Sequence, residues 1–205
     1  MSDFQKTFSG RSVFLTGHSG FKGSWLSFWL SELGAKVTGF SLDPDEGQRD
    51  LFEVVQSGGA FEKGGDVRGD IRDPEAVHAC LAETKPEFVF HLAAQSLVRR
   101  SYALPRETME TNVMGTANLL EAVRASAPEA TVVIVTSDKC YENQEWTYAY
   151  RENEPLGGKD VYSASKAAAE MVAASWRHSF FRTESNPGKV ATARGGNVIG
   201  GGDFA

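Results

Sequence analysis

Two short stretches of the chain carry side chains whose types and spacing suit proton transfer. In YSASK, Tyr162 and Lys166 stand four residues apart, so on a helix they share one face. An ammonium beside a phenol favours the phenolate and is expected to lower the tyrosine's pKa, which lets Tyr162 act as a base toward a hydroxyl near neutral pH. In VTSDKCYEN, Ser137, Asp138 and Lys139 set a hydroxyl, a carboxylate and an ammonium side by side after the apolar run ATVVI. The same three residues also suit a surface turn with a local ion pair, which stabilises little. Spacing alone leaves both readings open.

A third stretch suits a phosphate. In GHSGFKG, Gly17, Gly20 and Gly23 recur every third residue with Phe21 between them. Glycine permits positive φ and lets backbone approach a pyrophosphate, whose charge the following helix N-terminus stabilises. Set between the first strand and the first helix, the motif predicts a dinucleotide site with Gly17, Gly20, Phe21 and Gly23 as contacts. The acidic partner for the adenosine ribose is expected about 20 residues further on, at the end of the second strand. There GFSLDPD offers Asp43. No arginine or lysine directly follows that strand to meet a 2'-phosphate, although Arg49 is close enough to reach back, so the expected cofactor is NAD. GDIRD then offers Ile71 for the adenine face and Asp70 for its amino group, or, for Asp70, an ordinary loop carboxylate.

These groups need elements to hold them, and the hydrophobic pattern supplies a regular alternation. SVFLTG, a helix over FKGSWLSFWLSELG closed by Gly34, and AKVTGFSL form a βαβ unit. The rhythm continues through GDVRGDI, a helix opened by Asp73 and Pro74, the strand EFVFHLAA, and a long helix over ETMETNVMGTANLLEAVRASA. After these come ATVVIVTS, a helix from about 161 to 181, and KVATARGG. Such alternation predicts an α/β fold: a doubly wound, Rossmann-like parallel sheet with its ligands beyond the carboxyl ends of the strands. Trp25, Phe28 and Trp29 are expected to pack on that sheet. Residues 43–65 can hold a short helix, and the aromatic segment 142–160 is long enough to line or cover the site. The chain stops at NVIGGGDFA, a glycine-rich loop directly after a strand. Residues 1–205 are therefore expected to be one NAD-binding domain, cut before most of a C-terminal substrate region.

Bulk properties exclude several classes. With 205 residues, 41% hydrophobic and 23% charged, the chain suits a folded domain, and a net charge of −6 denies nucleic acid or a membrane surface the basic field they need. Two cysteines and four scattered histidines make neither a disulfide framework nor a metal site. No run reaches the roughly 20 apolar residues of a membrane span. A soluble cytoplasmic protein is expected.

Taken together, GHSGFKGSWL, GDIRD, HLAAQSLVR, TNVMGTANLLEA, TSDKCYEN, YSASK and RGGNVIGGGD make the chain resemble the extended short-chain dehydrogenases/reductases over nearly its whole length. Within that family Lys139 after Asp138, together with GNVIGGGD, is similar to the nucleotide-sugar 4,6-dehydratases that act on CDP-glucose. The resemblance implies a lyase of deoxysugar and cell-surface polysaccharide synthesis. In it Tyr162 takes the 4-hydroxyl proton with help from Ser137, NAD holds the hydride, and Asp138 and Lys139 serve the loss of water. Which of the two handles which proton stays open, with leaving-group protonation the role implied for Asp138. It also implies that Leu92, Ala93 and Ala94 let the backbone pass close to the cofactor, while Gln95 and Ser96 face the sugar. Asn112 either assists positioning at the substrate or bridges elements internally. Asn197 resembles a substrate-diphosphate contact, Arg194 is either functional or structural, and the resemblance implies that the helix carrying Asn112 and the helix carrying Tyr162 pair with their copies in a homodimer or higher homo-oligomer.

Overall fold

The computed structural model describes residues 2–181 and 189–203. Helix α1 (Asp3–Phe8), which the pattern did not announce, precedes β1 (Ser12–Thr16), α2 (Phe21–Glu32) and β2 (Lys36–Ser41). Next come α3 (Arg49–Ser57), β3 (Asp66–Arg68), α4 (Pro74–Thr84) and β4 (Phe88–His91). Short helices α5 (Val98–Ala103) and α6 (Pro105–Met109) run through a π turn, Glu110–Met114, into α7 (Gly115–Ser126). Strand β5 (Thr131–Ser137), α8 (Val161–Ser179) and β6 (Lys189–Gly195) complete the set.

The six strands form one parallel sheet in the order β3-β2-β1-β4-β5-β6. That order follows from right-handed crossovers that wind outward in both directions from β1, and it leaves a crevice at the carboxyl ends of β1 and β4 where the winding reverses. The expected doubly wound, Rossmann-like sheet is therefore present. Its interior is built from Phe14, Val89, Val132 and Ile134 of the strands against Leu81 of α4 and Leu119, Leu120 and Val123 of α7. Local signals did what their chemistry predicts. Asp73 caps α4 by accepting from the N–H groups of Glu75 and Ala76, and Gly34 takes φ +83 just past α2.

One expectation about packing is overturned. Trp25, Phe28 and Trp29 point outward, each at least 40% exposed, while Gly23, Ser24, Ser27 and Leu30 make the buried face of α2. The reason is distance: a Cβ on Gly23 would stand 2.0 Å from the Gly17 carbonyl oxygen, so only small residues let this helix approach the loop that feeds it.

Candidate active site

The β1–α2 loop is shaped by two of its three glycines for the chain's own sake. Gly17 has φ +74, and a Cβ there would lie 2.7 Å from the Ala93 nitrogen; Gly23 is constrained as above. Gly20 differs. A Cβ on it would meet protein at 3.4 Å and beyond, which is ordinary contact, so nothing in the fold demands glycine at that position. It opens instead on a cavity of about 320 Å³ at the carboxyl ends of the strands. An open cradle at the N-terminus of α2, with no acidic residue in its first turn, fits the diphosphate of a dinucleotide.

The same cavity brings together most of the residues expected at the cofactor. Phe21, Asp43, Asp70, Ile71, Leu92, Ala93 and Ala94 all line it. Two of them have protein partners that sequence reasoning missed. Asp70 accepts from the Arg72 side chain at 2.9 Å and from its backbone N–H at 2.9 Å, which holds the carboxyl below its usual range. Asp43, 87% exposed, lies 3.5 Å from Arg68, whose guanidinium also donates to the Leu42 carbonyl and stacks on Phe52. A cation does therefore reach the end of β2, from β3 and not from Arg49. No periodicity signals it, because parallel register decides which residue of β3 lies beside β2.

The chemical groups converge from β5 and α8. Ser137 ends β5, and its hydroxyl accepts from the Lys139 backbone N–H at 3.2 Å, capping the short turn that carries Asp138 and Lys139. Asp160 caps α8 and so sets where Tyr162 and Lys166 emerge. Tyr162 is 8% exposed and Lys166 6%, and both line the cavity. The Tyr162 hydroxyl is hydrogen-bonded to Ser137, and the charge of Asp138 acts on it. Asp138 and Lys139 pair at 3.4 Å with about half of each side chain in water.

The electrostatics correct one expectation. Burial pushes the Tyr162 phenol above its ordinary pKa, opposed by the Ser137 hydrogen bond and reinforced by the charges of Asp138 and Asp160. Lys166 does not lower it. Burial, and then the charge of Lys22, push the Lys166 ammonium itself down to about 8. A desolvated cation gives up part of the field that sharing a helix face promised.

Two residues expected at the substrate also make hydrogen bonds within the protein. Asn112, buried in the π turn, accepts from the Gln95 N–H at 2.8 Å and donates to the Gln95 carbonyl at 3.0 Å and to Ser165 at 2.8 Å. Its amide bridges the β4 loop to α8, the internal bridge that was one of its two expected roles. The Gln95 side chain is likewise turned inward, donating to Thr108 and the Leu97 carbonyl and accepting from the Leu97 N–H. Gln95 and Ser96 both line the cavity all the same. Asn197 sits in the exposed loop after β6 and is not brought to the cavity; Asp203, six residues on, is. Arg194 is structural: it pairs at 3.0 Å with buried Glu170, which also accepts from Thr136 and Thr192 and so ties α8 to β5 and β6. The aromatic segment after β5 does not cover the site; Tyr141 stacks on Tyr150 and Trp146 on Tyr148 instead.

Several neutral groups beside the site are buried. His91 is buried between Thr16 and Thr116, and burial lowers its pKa to about 3. Burial likewise lifts the Cys140 thiol to about 11, so it stays protonated. His18, within the glycine motif, is also buried and bonds Asp66 and Ser41, bracing the loop against β2 and β3.

Residues 14–186 match the family described as GDP-mannose 4,6 dehydratase. The chain belongs to that family. Its motifs' resemblance to the extended short-chain dehydrogenases/reductases is thereby borne out. A CDP-glucose 4,6-dehydratase of Salmonella typhimurium is 54% identical over 199 residues, which is 96% of this chain and 54% of the relative. A UDP-glucose 4-epimerase of Mycolicibacterium smegmatis is 33% identical over 80% of this chain and 50% of its own. Among solved structures, a dTDP-glucose 4,6-dehydratase from Streptomyces venezuelae with NAD and TYD bound superposes with a TM-score of 0.70, at 28% identity over 82% of this chain and 52% of that one. The chain thus spans about half the length of these relatives.

Proposed function

We propose that this chain carries the NAD-binding and catalytic groups of a nucleotide-sugar 4,6-dehydratase that converts CDP-glucose to CDP-4-keto-6-deoxyglucose. One observation carries the reading: a buried phenol bonded to Ser137, with Lys166 one turn further in the same cavity and an acid and an amine paired on the turn after β5, the strand whose end the phenol meets. Support for the CDP and glucose parts comes from the 54% identical relative. A cytoplasmic homodimer is part of the same reading; among the described residues no helix is long and apolar enough to cross a membrane.

Gly17, Gly20, Phe21, Gly23 and the N-terminus of α2 would hold the diphosphate of NAD, with Leu92 to Ala94 along its flank and Lys166 at the end nearest Tyr162. When bound, NAD supplies a place for the hydride leaving C4 and returns it to C6, so it is regenerated in each cycle. Tyr162 accepts the 4-hydroxyl proton while Ser137 steadies the oxygen. The 4-ketone acidifies C5, and Asp138 and Lys139 divide the removal of the C5 proton and the protonation of the departing 6-hydroxyl. Asp138 is the donor to that hydroxyl in this reading.

The test is to incubate the protein with CDP-glucose, dTDP-glucose and GDP-mannose and follow the 4-keto product. Product from CDP-glucose supports the reading; a sugar inverted at C4 with no loss of water sinks it in favour of an epimerase, the second reading that the 33% identical relative supports. Asp138→Asn and Lys139→Met separate the two, since an epimerase needs neither group. If most sugar-nucleotide contacts lie in the relatives' additional length, residues 1–205 alone bind NAD but turn over poorly. Brisk turnover by these residues contradicts that assignment.

A further inference from the structure

The turn that carries Asp138 and Lys139 is three residues long, and its own contacts are the Ser137 cap and the exposed pair those two side chains make. Directly after it the chain leaves the sheet and comes back. The Glu142 N–H donates to the Pro155 carbonyl at 2.9 Å and the Gly157 N–H to the Cys140 carbonyl at 2.9 Å, so residues 141–156 form an excursion rooted beside the turn. Arg194 of β6 holds both legs of that root. Its guanidinium lies 4.7 Å from the centre of the Tyr141 ring, which also stacks on Tyr150, and its Nη1 donates to the Glu152 carbonyl at 2.9 Å. Its Nη2 donates to the Glu170 carboxylate at 3.0 Å. Glu170, 4% exposed, follows Lys166 by one turn of α8 and accepts as well from Thr136, the neighbour of Ser137. A lysine would neutralise Glu170 as an arginine does. Only the planar fork reaches an acid, a carbonyl and a ring face from one side chain.

We infer that Arg194 and Tyr141 are positioning residues for the loss of water: anchored by Glu170 to the helix of Tyr162 and Lys166, they fix where the Asp138–Lys139 turn stands relative to the phenol. The inference rests on the dehydratase reading above and deepens it. In that reading a hydride leaves C4, a proton leaves C5 and a hydroxyl leaves C6, three adjacent carbons of one sugar. The two sets of groups must therefore keep a fixed spacing while the sugar stays in place, and a misplacement of about 1 Å can cost on the order of 10²-fold. Tyr162, Ser137 and Lys166 are held by α8 and β5 without help from Tyr141. Loosening that ring should leave C4 oxidation intact and let the turn drift. A contact that merely stabilises the fold would lower both steps together.

Single-turnover mixing of the full-length protein with CDP-glucose, read at the reduced nicotinamide band and followed by assay of the 4-keto-6-deoxy product, tests this in Arg194→Lys, Tyr141→Leu and Tyr141→Phe. Arg194→Lys keeps a cation on Glu170 and loses the fork; Tyr141→Leu leaves the Glu170–Arg194 pair alone and loses the ring. Expected in both are C4 oxidation within about threefold of native, product formation down about tenfold or more, and reduced cofactor that accumulates. Tyr141→Phe keeps the ring face and should stay within about twofold of native in both steps. Native product formation in Tyr141→Leu overturns the inference, as does an equal loss of oxidation and product in that variant, which would make the ring a stability element. Tyr141→Leu decides the matter alone should Arg194→Lys fail to fold. A native protein that removes no water from CDP-glucose sinks the dehydratase reading itself, whereas native dehydration that survives in Tyr141→Leu sinks only the positioning role.

Discussion

Tyr162 and Lys166, which line the cavity, and Asp138 and Lys139, on the turn that follows β5, differ most in what surrounds them. The first two are 8% and 6% exposed on a 19-residue helix whose start is fixed by Asp160 and whose next turn is clamped by Glu170 to Thr136, Thr192 and Arg194. The second two sit on a three-residue turn with half of each side chain in water. The groups assigned to hydride transfer are thus preorganised by the fold, whereas those assigned to water loss rest on one cap and one weak ion pair. Preorganisation matters where charge develops in a site that excludes water. At the turn a bound sugar has to supply the exclusion.

The largest effect belongs to the glycine loop. Gly23→Ala forces a Cβ to 2.0 Å from the Gly17 carbonyl, and because the obstacle is backbone, we expect about 4 kcal/mol or more of destabilisation, or no folded protein. Gly20→Ala is the contrast. Its Cβ meets only ordinary contacts, so the melting temperature should stay close to native while NAD affinity falls. Equal stability losses in the two variants would remove the argument that Gly20 faces a ligand.

Next comes Lys166. Its folded pKa, near 8, lies below the 10.5 of an unperturbed lysine, so between those values the unfolded chain holds a proton that the folded protein has released. Stability therefore rises with pH across that window, by an amount on the order of 3 kcal/mol in full, and the penalty is complete below pH 8. Urea melts from pH 7.5 to 10.5 should show that slope in the native protein and lack it in Lys166→Met. His91, neutral with a pKa near 3, contributes in the same sense at lower pH: its share of stability is present above about 6.5 and is lost as pH falls toward 3.

These contrasts also explain which parts of the site the sequence disclosed. The glycine loop, the YSASK turn and the strand tips were readable because each rests on a local rule: a φ that only glycine takes, an i,i+4 face, an apolar run closed by a cap. What escaped depends on neighbours far along the chain. Arg68 reaches Asp43 through β2–β3 register, and Arg72 claims Asp70 by folding back on it. Asn112 looked like a ligand because its type suits one, yet the π turn aims its amide at the Gln95 backbone. The outward turn of Trp25, Phe28 and Trp29 is the same lesson at the level of packing: hydrophobicity counted toward burial, and close approach of α2 to its own loop decided otherwise.

Tyr162→Phe lies further down the order. The lost hydroxyl gives up one hydrogen bond with Ser137, about 1 kcal/mol of stability. Turnover should fall roughly 10²–10⁴-fold, as expected for a general base, with NAD affinity little changed. A Phe variant that turns over normally would leave the cavity as a dinucleotide-binding module without this chemistry.

Asp138→Asn and Lys139→Met have the smallest effect on the folded protein. An ion pair this exposed stabilises by less than about 1 kcal/mol, so melting temperatures should be native within error. Their effect on product should nonetheless be large and of a particular kind. With Tyr162, Ser137 and Lys166 intact, C4 oxidation in a single turnover persists and reduced cofactor accumulates, because the 6-hydroxyl no longer leaves and the hydride has nowhere to return. Rapid-mixing absorbance at the reduced nicotinamide band, run alongside the steady-state assay, reads this directly. If both variants lose oxidation together with dehydration, the two sets of groups act as one unit, and the division drawn from their surroundings does not describe the chemistry.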